Sequence, residues 1–186
     1  GGAIQGLGET FSTSEFTGTA ALSIPVPVTS CRDLTPQLSL DYSSGGGNGI
    51  FGMGFSLNLP EIARQTAKGI PQYGDDDCFL FSGADYLVPK ADGQATCTLN
   101  DIQYQVTTYL ARTEGSFDRI ERWTPTDQNA AAPTFWQVTT PENITHIFGY
   151  HKDARIADPR TDPTEPERIF KWLLEESFDA KGNHIV

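Results

Sequence analysis

Pro36-Gln37-Leu38-Ser39-Leu40-Asp41-Tyr42-Ser43-Ser44-Gly45-Gly46-Gly47-Asn48-Gly49-Ile50-Phe51-Gly52-Met53-Gly54-Phe55-Ser56-Leu57-Asn58-Leu59-Pro60 is the stretch on which the fold turns. Gly47, Gly49 and Gly52 spell a literal G-x-G-x-x-G, the pattern of a dinucleotide site. That chemistry requires a strand, the glycine turn and then a helix whose N-terminal N–H groups face the pyrophosphate. The strand is legible, because Leu38, Leu40 and Tyr42 alternate with Ser39, Asp41 and Ser43. The helix is not. Phe55, Leu57 and Leu59 alternate with Ser56 and Asn58 and end at Pro60, so a second strand follows. No Lys-Ser/Thr follows the glycines, so a phosphate-binding P-loop fails as well. A hairpin is the reading that survives, with Asn48-Gly49 as its turn signal because both residues accept positive φ.

Composition extends the same pattern to the rest of the chain. Among 186 residues, 18 Gly and 12 Pro accompany abundant Ser and Thr, and few segments carry helical periodicity. Thirteen basic against 24 acidic residues give a formal charge of −11. Nucleic acid and anionic membrane both need a cationic footprint, so neither is an expected partner. No apolar run approaches a membrane span and no signal peptide is legible. The three cysteines, Cys31, Cys78 and Cys97, are too few and too scattered for a disulfide framework or zinc cage, and allow one bridge at most.

Short strands separated by turn chemistry run along the chain. Leu22, Ile24, Val26 and Val28 share a face, with Pro25 and Pro27 on the other, which suits an edge strand or one whose N–H row faces solvent. Phe79–Phe81 and Tyr86–Val88 flank Ser82-Gly83-Ala84-Asp85 as a second hairpin. Ile102, Tyr104 and Val106 alternate with Gln103 and Gln105, and residues 117–123 read as a strand. Residues 134–140 pair with 144–149 across Pro141-Glu142-Asn143. The segments 124–134 and 158–167 read as exposed loops. Residues 169–176 fit a short helix, with Ile169, Trp172 and Leu173 on one face, or a strand, with Phe170, Trp172 and Leu174 on one face. Asp179-Ala180-Lys181-Gly182-Asn183 is a turn, after which His184-Ile185-Val186 starts a returning strand. A strand arriving at the last residues, and a first residue that is Gly rather than Met, make residues 1–186 read as one β-rich domain cut from a longer chain.

In order along the chain, several groups of residues resemble the SpvB family of bacterial toxin components. They are Gly1-Gly2-Ala3-Ile4, Gly18-Thr19 to Pro27, Pro36 to Pro60, Ile62-Ala63-Arg64-Gln65-Thr66, Lys68-Gly69-Ile70-Pro71-Gln72-Tyr73 and Asp75-Asp76-Asp77. Tyr109, Arg112-Thr113-Glu114-Gly115-Ser116-Phe117, Phe135-Trp136 and Trp172-Leu173-Leu174-Glu175-Glu176-Ser177 continue the series. The resemblance implies a non-catalytic region at the N-terminal end of a secreted toxin component. In one branch, B subunits of insecticidal toxin complexes join a C subunit in a hollow β-sheet shell around a cytotoxic fragment, and the shell docks on a membrane-piercing A subunit. In the other, a similar region precedes a separate domain that ADP-ribosylates actin, so a secretion or translocation module is the alternative.

The residues that could carry chemistry fit poorly. Ser12-Thr13-Ser14 is the triplet of arginine-specific ADP-ribosyltransferases, but no arginine precedes it and Glu175-Glu176 lacks the intervening residue of Glu-x-Glu. His146, His151 and His184 are not at metal spacing, and His146 sits within an apparent strand. A nucleophile such as Cys31 or Ser44 could meet a histidine only in space. Asp75-Asp76-Asp77 misses the EF-hand spacing and reads as a solvated acidic turn. Trp123, Trp136 and Trp172 could stack on sugars, which makes a glycan-binding module a further alternative, but each lies in an alternating apolar pattern that favours packing. Asn143-Ile144-Thr145 is a glycosylation sequon that a bacterial protein leaves unused.

The expectation is therefore an all-β chain of successive antiparallel hairpins, forming part of a curved sheet or shell with at most a short helix. It has no catalytic, cofactor-binding or metal residues and takes no cofactor. Its partners are the rest of its own chain and another toxin-complex subunit, and it is secreted. The work is assembly through strand edges and apolar faces.

Overall fold

The computed structural model describes residues 9–13, 18–27, 38–49, 51–67, 69–74, 76–83, 85–112, 118–127, 132–159 and 167–186. Its elements are almost entirely strands, and the chain divides into two compact units, Gly1–Leu59 and Pro60–Val186.

In the first unit β1 (Thr10–Thr13), β2 (Ala20–Pro25), β3 (Ser39–Ser43) and β6 (Phe55–Asn58) form an antiparallel sheet in the order β1-β2-β3-β6. Period-two alternation sorts its faces. Leu22, Tyr42 and Phe55 lie directly opposite one another, and so do Ile24, Leu40 and Leu57. The other face carries Thr10, Ser23, Asp41 and Ser56 in one cross-strand row, with Ser23 Oγ donating to Asp41 Oδ1 at 2.5 Å. β2 lies between β1 and β3 rather than at an edge. Pro25 is tolerated because β1 pairing, among the described residues, stops at Thr10↔Ser23, so no ladder partner waits for its missing N–H.

The glycine stretch is a hairpin, as expected, but Asn48-Gly49 are strand residues rather than its tip. Those two residues form β4 (Asn48–Gly49), paired with β5 (Gly52–Met53) through Asn48↔Met53 and Gly49↔Gly52. Gly52 and Gly54 supply the left-handed conformations, with φ of 104° and 80°. At Gly54 a Cβ would stand 2.6 Å from Tyr42 Cε2, so this glycine also lets two backbones approach.

The second unit is built on a closed ring. Its strands are β7 (Glu61–Arg64), β8 (Phe79–Phe81), β9 (Asp85–Leu99), β10 (Ile102–Ala111), β11 (Arg119–Pro125), β12 (Phe135–Thr139), β13 (Ile144–Phe148), β14 (Arg155–Ala157), β15 (Ile169–Asp179) and β16 (His184–Ile185). Neighbours from β7 to β13 pair in sequence order, β15 pairs with β7, and β13 pairs with β15, so eight antiparallel strands close a barrel. The curved sheet expected from the sequence thus closes on itself. β14 continues alongside β15 after one 3₁₀ turn at Lys152–Ala154, and β16 returns onto β15 through Ser177↔Ile185 and Phe178↔His184. The Ser82-Gly83 turn and the β12–β13 turn are where expected. Ser82, Gly83 and Asn143 take φ of 47°, 75° and 61°.

Residues 169–176, which the sequence left open between helix and strand, are strand. β15 contains two bulges: Ile156 and Ala157 face Lys171 and Ile169, and Phe148 and Ile147 face Leu174 and Glu176. Each inserts one residue, so Ile169, Trp172 and Ser177 are all buried at spacings that a regular strand would not give. That irregular spacing imitated a helix. Of the loop expected at 124–134, residues 124 and 125 belong to β11 and 128–131 lie outside the described residues; of that expected at 158–167, residues 160–166 lie outside them.

An eight-stranded barrel encloses a space that side chains can just fill. Ile62, Phe79, Trp136 and Trp172 are fully buried, joined by Leu87, Tyr109, Ile120, Val138, Phe148 and Ile169. Phe79 meets Trp136, Tyr109 and Trp172 edge-on at 5.0, 5.9 and 5.9 Å between ring centroids, a favoured aromatic geometry. A smaller cluster of Tyr104, Val106 and Phe135 packs with Trp123 and Tyr150.

Gly149, with φ of 70°, lies against this core, and a Cβ there would stand 2.4 Å from Trp172 Cδ1. Gly149→Ala should cost about 3 kcal/mol or more, since strain and overpacking add. Gly182→Ala, at φ 84° with open space around it, should cost only about 1–2 kcal/mol from the backbone alone. Urea denaturation of both variants checks this, and equal losses would mean that Trp172 does not press on that turn.

Candidate functional site

Strand parity places two arginines inside the barrel. Ile62 and Arg64 share the inward face of β7, and Ile120 and Arg122 share that of β11. Arg64 is 9% exposed. Its Nε donates to Ile169 O at 2.9 Å, and its Nη1 donates to Gly74 O at 3.2 Å and to Asp77 Oδ2 at 2.7 Å. Its guanidinium lies over the rings of Tyr73, Phe79 and Trp172 at 5.3, 5.1 and 5.6 Å. Burial pulls the Arg64 pKa down from its ordinary value, and the Asp77 carboxylate opposes that pull. Arg122, directly opposite Trp136 in the ladder, lies over Phe79 and Tyr109 at 5.3 and 5.8 Å. The cations thus sit on aromatic faces, where desolvation makes the attraction stronger than at a surface.

Asp77 also gathers the segment between β7 and β8. Its carboxylate accepts from Gln72 N at 3.1 Å and from Tyr73 N at 2.8 Å, and Tyr73 holds a φ of 59°. The last residue of the acidic run is therefore a loop clamp on a buried arginine, not a solvated turn residue. Asp76 is exposed, and Asp75 lies outside the described residues. The sequence carried one overlooked signal, a charged Arg64 at inward parity between Ile62 and the Thr66 turn.

The other sequence candidates are dispersed. Trp136 and Trp172 are fully buried, 6.0 Å apart, and Trp172 Nε1 donates to Thr134 O at 2.8 Å, so neither offers a face to a sugar. Trp123 stacks on Phe135 at 5.5 Å in the second cluster. His151 donates its N–H to Glu175 Oε2 at 2.9 Å and pairs its Nδ1 with the same carboxylate. His184 is exposed in β16. His146 Nδ1 lies 2.7 Å from Ser177 Oγ, and burial pushes its pKa down while Asp118 opposes. Ser12 and Thr13 are exposed in β1, and Ser14 and Cys31 lie outside the described residues. Cys78 is exposed and Cys97 half-buried, both as free thiols. Strands follow Gly47, Gly49 and Gly52, so no helix terminus faces a phosphate there. Asn143 occupies a tight turn at positive φ. Among the described residues no three His, Cys, Asp or Glu side chains gather as a metal set, and no helix is long and apolar enough to cross a membrane. The arrangement fills space and clamps a loop. Phe79, Trp136 and Trp172 fill the barrel's aromatic centre.

The SpvB family model, described as Salmonella virulence plasmid 65kDa B protein, matches residues 14–186. The chain is 38% identical over 188 aligned residues to the mono(ADP-ribosyl)transferase SpvB of Salmonella typhimurium, covering 96% of this chain and 31% of that protein. It thus spans about a third of the curated relatives it matches. Among solved structures, the crystal structure of TcdB2-TccC3 superposes with a TM-score of 0.82 at 35% identity, covering 99% of this chain and 9% of that chain. The N-terminal domain of effector protein SpvB from Salmonella typhimurium strain LT2 superposes with a TM-score of 0.72 at 38% identity, covering 87% and 52%.

The buried ion pair gives a direct test of the Asp77 clamp. Asp77→Ala leaves Arg64 buried without its carboxylate and should cost about 3–5 kcal/mol. Combining it with Arg64→Met should recover about 1–3 kcal/mol relative to the sum of the single variants. Urea denaturation through the double-mutant cycle reads the coupling, and strict additivity would remove the clamp.

Proposed function

The chain belongs to the SpvB family, and from that premise we propose that it is a non-catalytic assembly domain of a secreted bacterial toxin component. In this reading its barrel and first-unit sheet form part of the wall of a larger β-shell that encloses or delivers a toxic C-terminal fragment. The observation that carries it is the superposition on TcdB2-TccC3 at a TM-score of 0.82 over 99% of this chain, where the matching region is 9% of a much longer chain. The barrel interior supports it chemically. Its space is occupied by Phe79, Trp136 and Trp172, and its charges are committed to rings and loop carbonyls. The partners are the rest of the same polypeptide and another toxin-complex subunit. The transferase activity named for the Salmonella relatives belongs, in this reading, to the part of those proteins that the chain does not match.

A second reading has its own support. The likeness to the SpvB N-terminal domain covers 52% of that chain, which fits a secretion or translocation module carried ahead of a separate enzyme.

A chimera separates the two. Replacing the matching segment of TcdB2 with this chain should give closed TcdB2-TccC3 particles by electron microscopy, with the C-terminal fragment protected from protease. A correctly folded chimera that leaves the fragment exposed would favour the secretion reading. In parallel, the isolated chain incubated with labelled NAD and actin should transfer no label. Transfer that is lost on altering Ser12 or Glu175 would overturn the non-catalytic assignment.

A further inference from the structure

The seam that closes the barrel contains a histidine. β13 meets β15 through Ile144↔Asp179, Thr145↔Phe178, His146↔Ser177, Ile147↔Glu176 and Phe148↔Leu174. His146 shares the inward face of β13 with Phe148, a core residue, and its Nδ1 is 2.7 Å from the Oγ of Ser177, itself 6% exposed. Each packed element presents a different group to the ring. β12 presents Val138, β15 presents Ser177, and Asp118, just before β11, is a carboxylate whose charge favours the protonated ring. Asp179, next inward on β15, is engaged with the N–H groups of Lys181 and Asn183 in the following turn. Glu176 belongs to the opposite face by strand alternation.

We propose that His146 is an acid-labile latch: protonation of its ring releases β13 from β15 and opens the barrel at this seam. Ser177 Oγ serves the Nδ1 of a neutral ring in either tautomer, because a hydroxyl can donate to it or accept from it. The imidazolium has two donors and a full charge, and meets one serine, an apolar Val138 and a single carboxylate. Burying that charge is unfavourable.

The folded pKa is lowered, with burial as the larger cause and Asp118 opposing it. A lowered histidine pKa means that the folded state prefers the neutral ring. The stabilisation is therefore complete above the unfolded value of about 6.5 and is lost as pH falls from there toward the folded value. Topology confines the effect. β13 touches β15 over five register pairs, while β15 keeps β7, β14 and β16 as partners when β13 leaves. The β12–β13 hairpin is then the part that detaches. This inference concerns the barrel alone and stands or falls separately from the toxin reading.

Hydrogen exchange on the whole chain at about pH 7.5 and about pH 5.5, corrected for intrinsic amide rates, tests it in the pH range where histidine titrates. Amides of residues 144–148 and 174–178 should exchange several-fold faster at the lower pH relative to β8 and β9. His146→Gln should remove that difference, His151→Gln should keep it, and Asp118→Asn should enlarge it. Acceleration spread evenly over all strands, or unchanged in His146→Gln, would overturn the latch. Should His146→Gln fail to fold, the NMR titration of the wild-type His146 ring decides. A midpoint below about 6.5 supports the latch, and one at or above that value overturns it.

Discussion

Everything in the second unit depends on the pairing of Ile144–Phe148 with Leu174–Asp179. An open sheet running from β7 to β13 would leave two edges with unpaired N–H and C=O rows, and such edges invite association. Pairing both ends to β15 removes them. Closure also fixes the interior. Once the ring is shut, its space must be filled by side chains, and the aromatic set around Phe79, Trp136 and Trp172 does so with edge-on contacts. Gly149 permits the turn immediately after β13 by giving Trp172 the room that any side chain would occupy.

The buried arginines follow from the same closure. An interior lined by aromatic faces has negative ring surfaces with few partners, and Arg64 and Arg122 lie against them. Arg64 additionally links β7, the carbonyl of Ile169 at the start of β15, and the loop held by Asp77. One side chain thus couples the ring to the segment between β7 and β8. A polar network of this kind fixes one arrangement among many, because each member is satisfied only in this geometry. For the wall element proposed above, a unique and self-filled barrel suits the task better than an adaptable cavity does.

Local features were legible in the sequence and long-range ones were not. The Ser82-Gly83 and Pro141–Asn143 turns, the alternation of residues 102–106 and the strand after the Gly47–Gly52 glycines all rest on neighbours in the chain. The structure places them as read. The tip of the glycine hairpin shifted because the demand for positive φ falls on Gly52 and Gly54 rather than on Asn48-Gly49. β15 stayed ambiguous because its two bulges break period two. Barrel closure joins strands that are not consecutive, and the Arg64–Asp77 pair crosses a loop, so neither leaves a periodic trace. The family resemblance was carried by ordered short motifs spread over the chain, and the match to residues 14–186 agrees with it.

Backbone NMR reads the closure of the barrel between β13 and β15 directly. In labelled protein near neutral pH, cross-strand NOEs should connect residues 144–148 with 174–179, alongside those linking 61–63 with 171–173. Both sets must come from one monomeric species. An otherwise complete set of neighbour contacts that lacks those between β13 and β15 would describe an open sheet. It would contradict the closed, self-filled barrel.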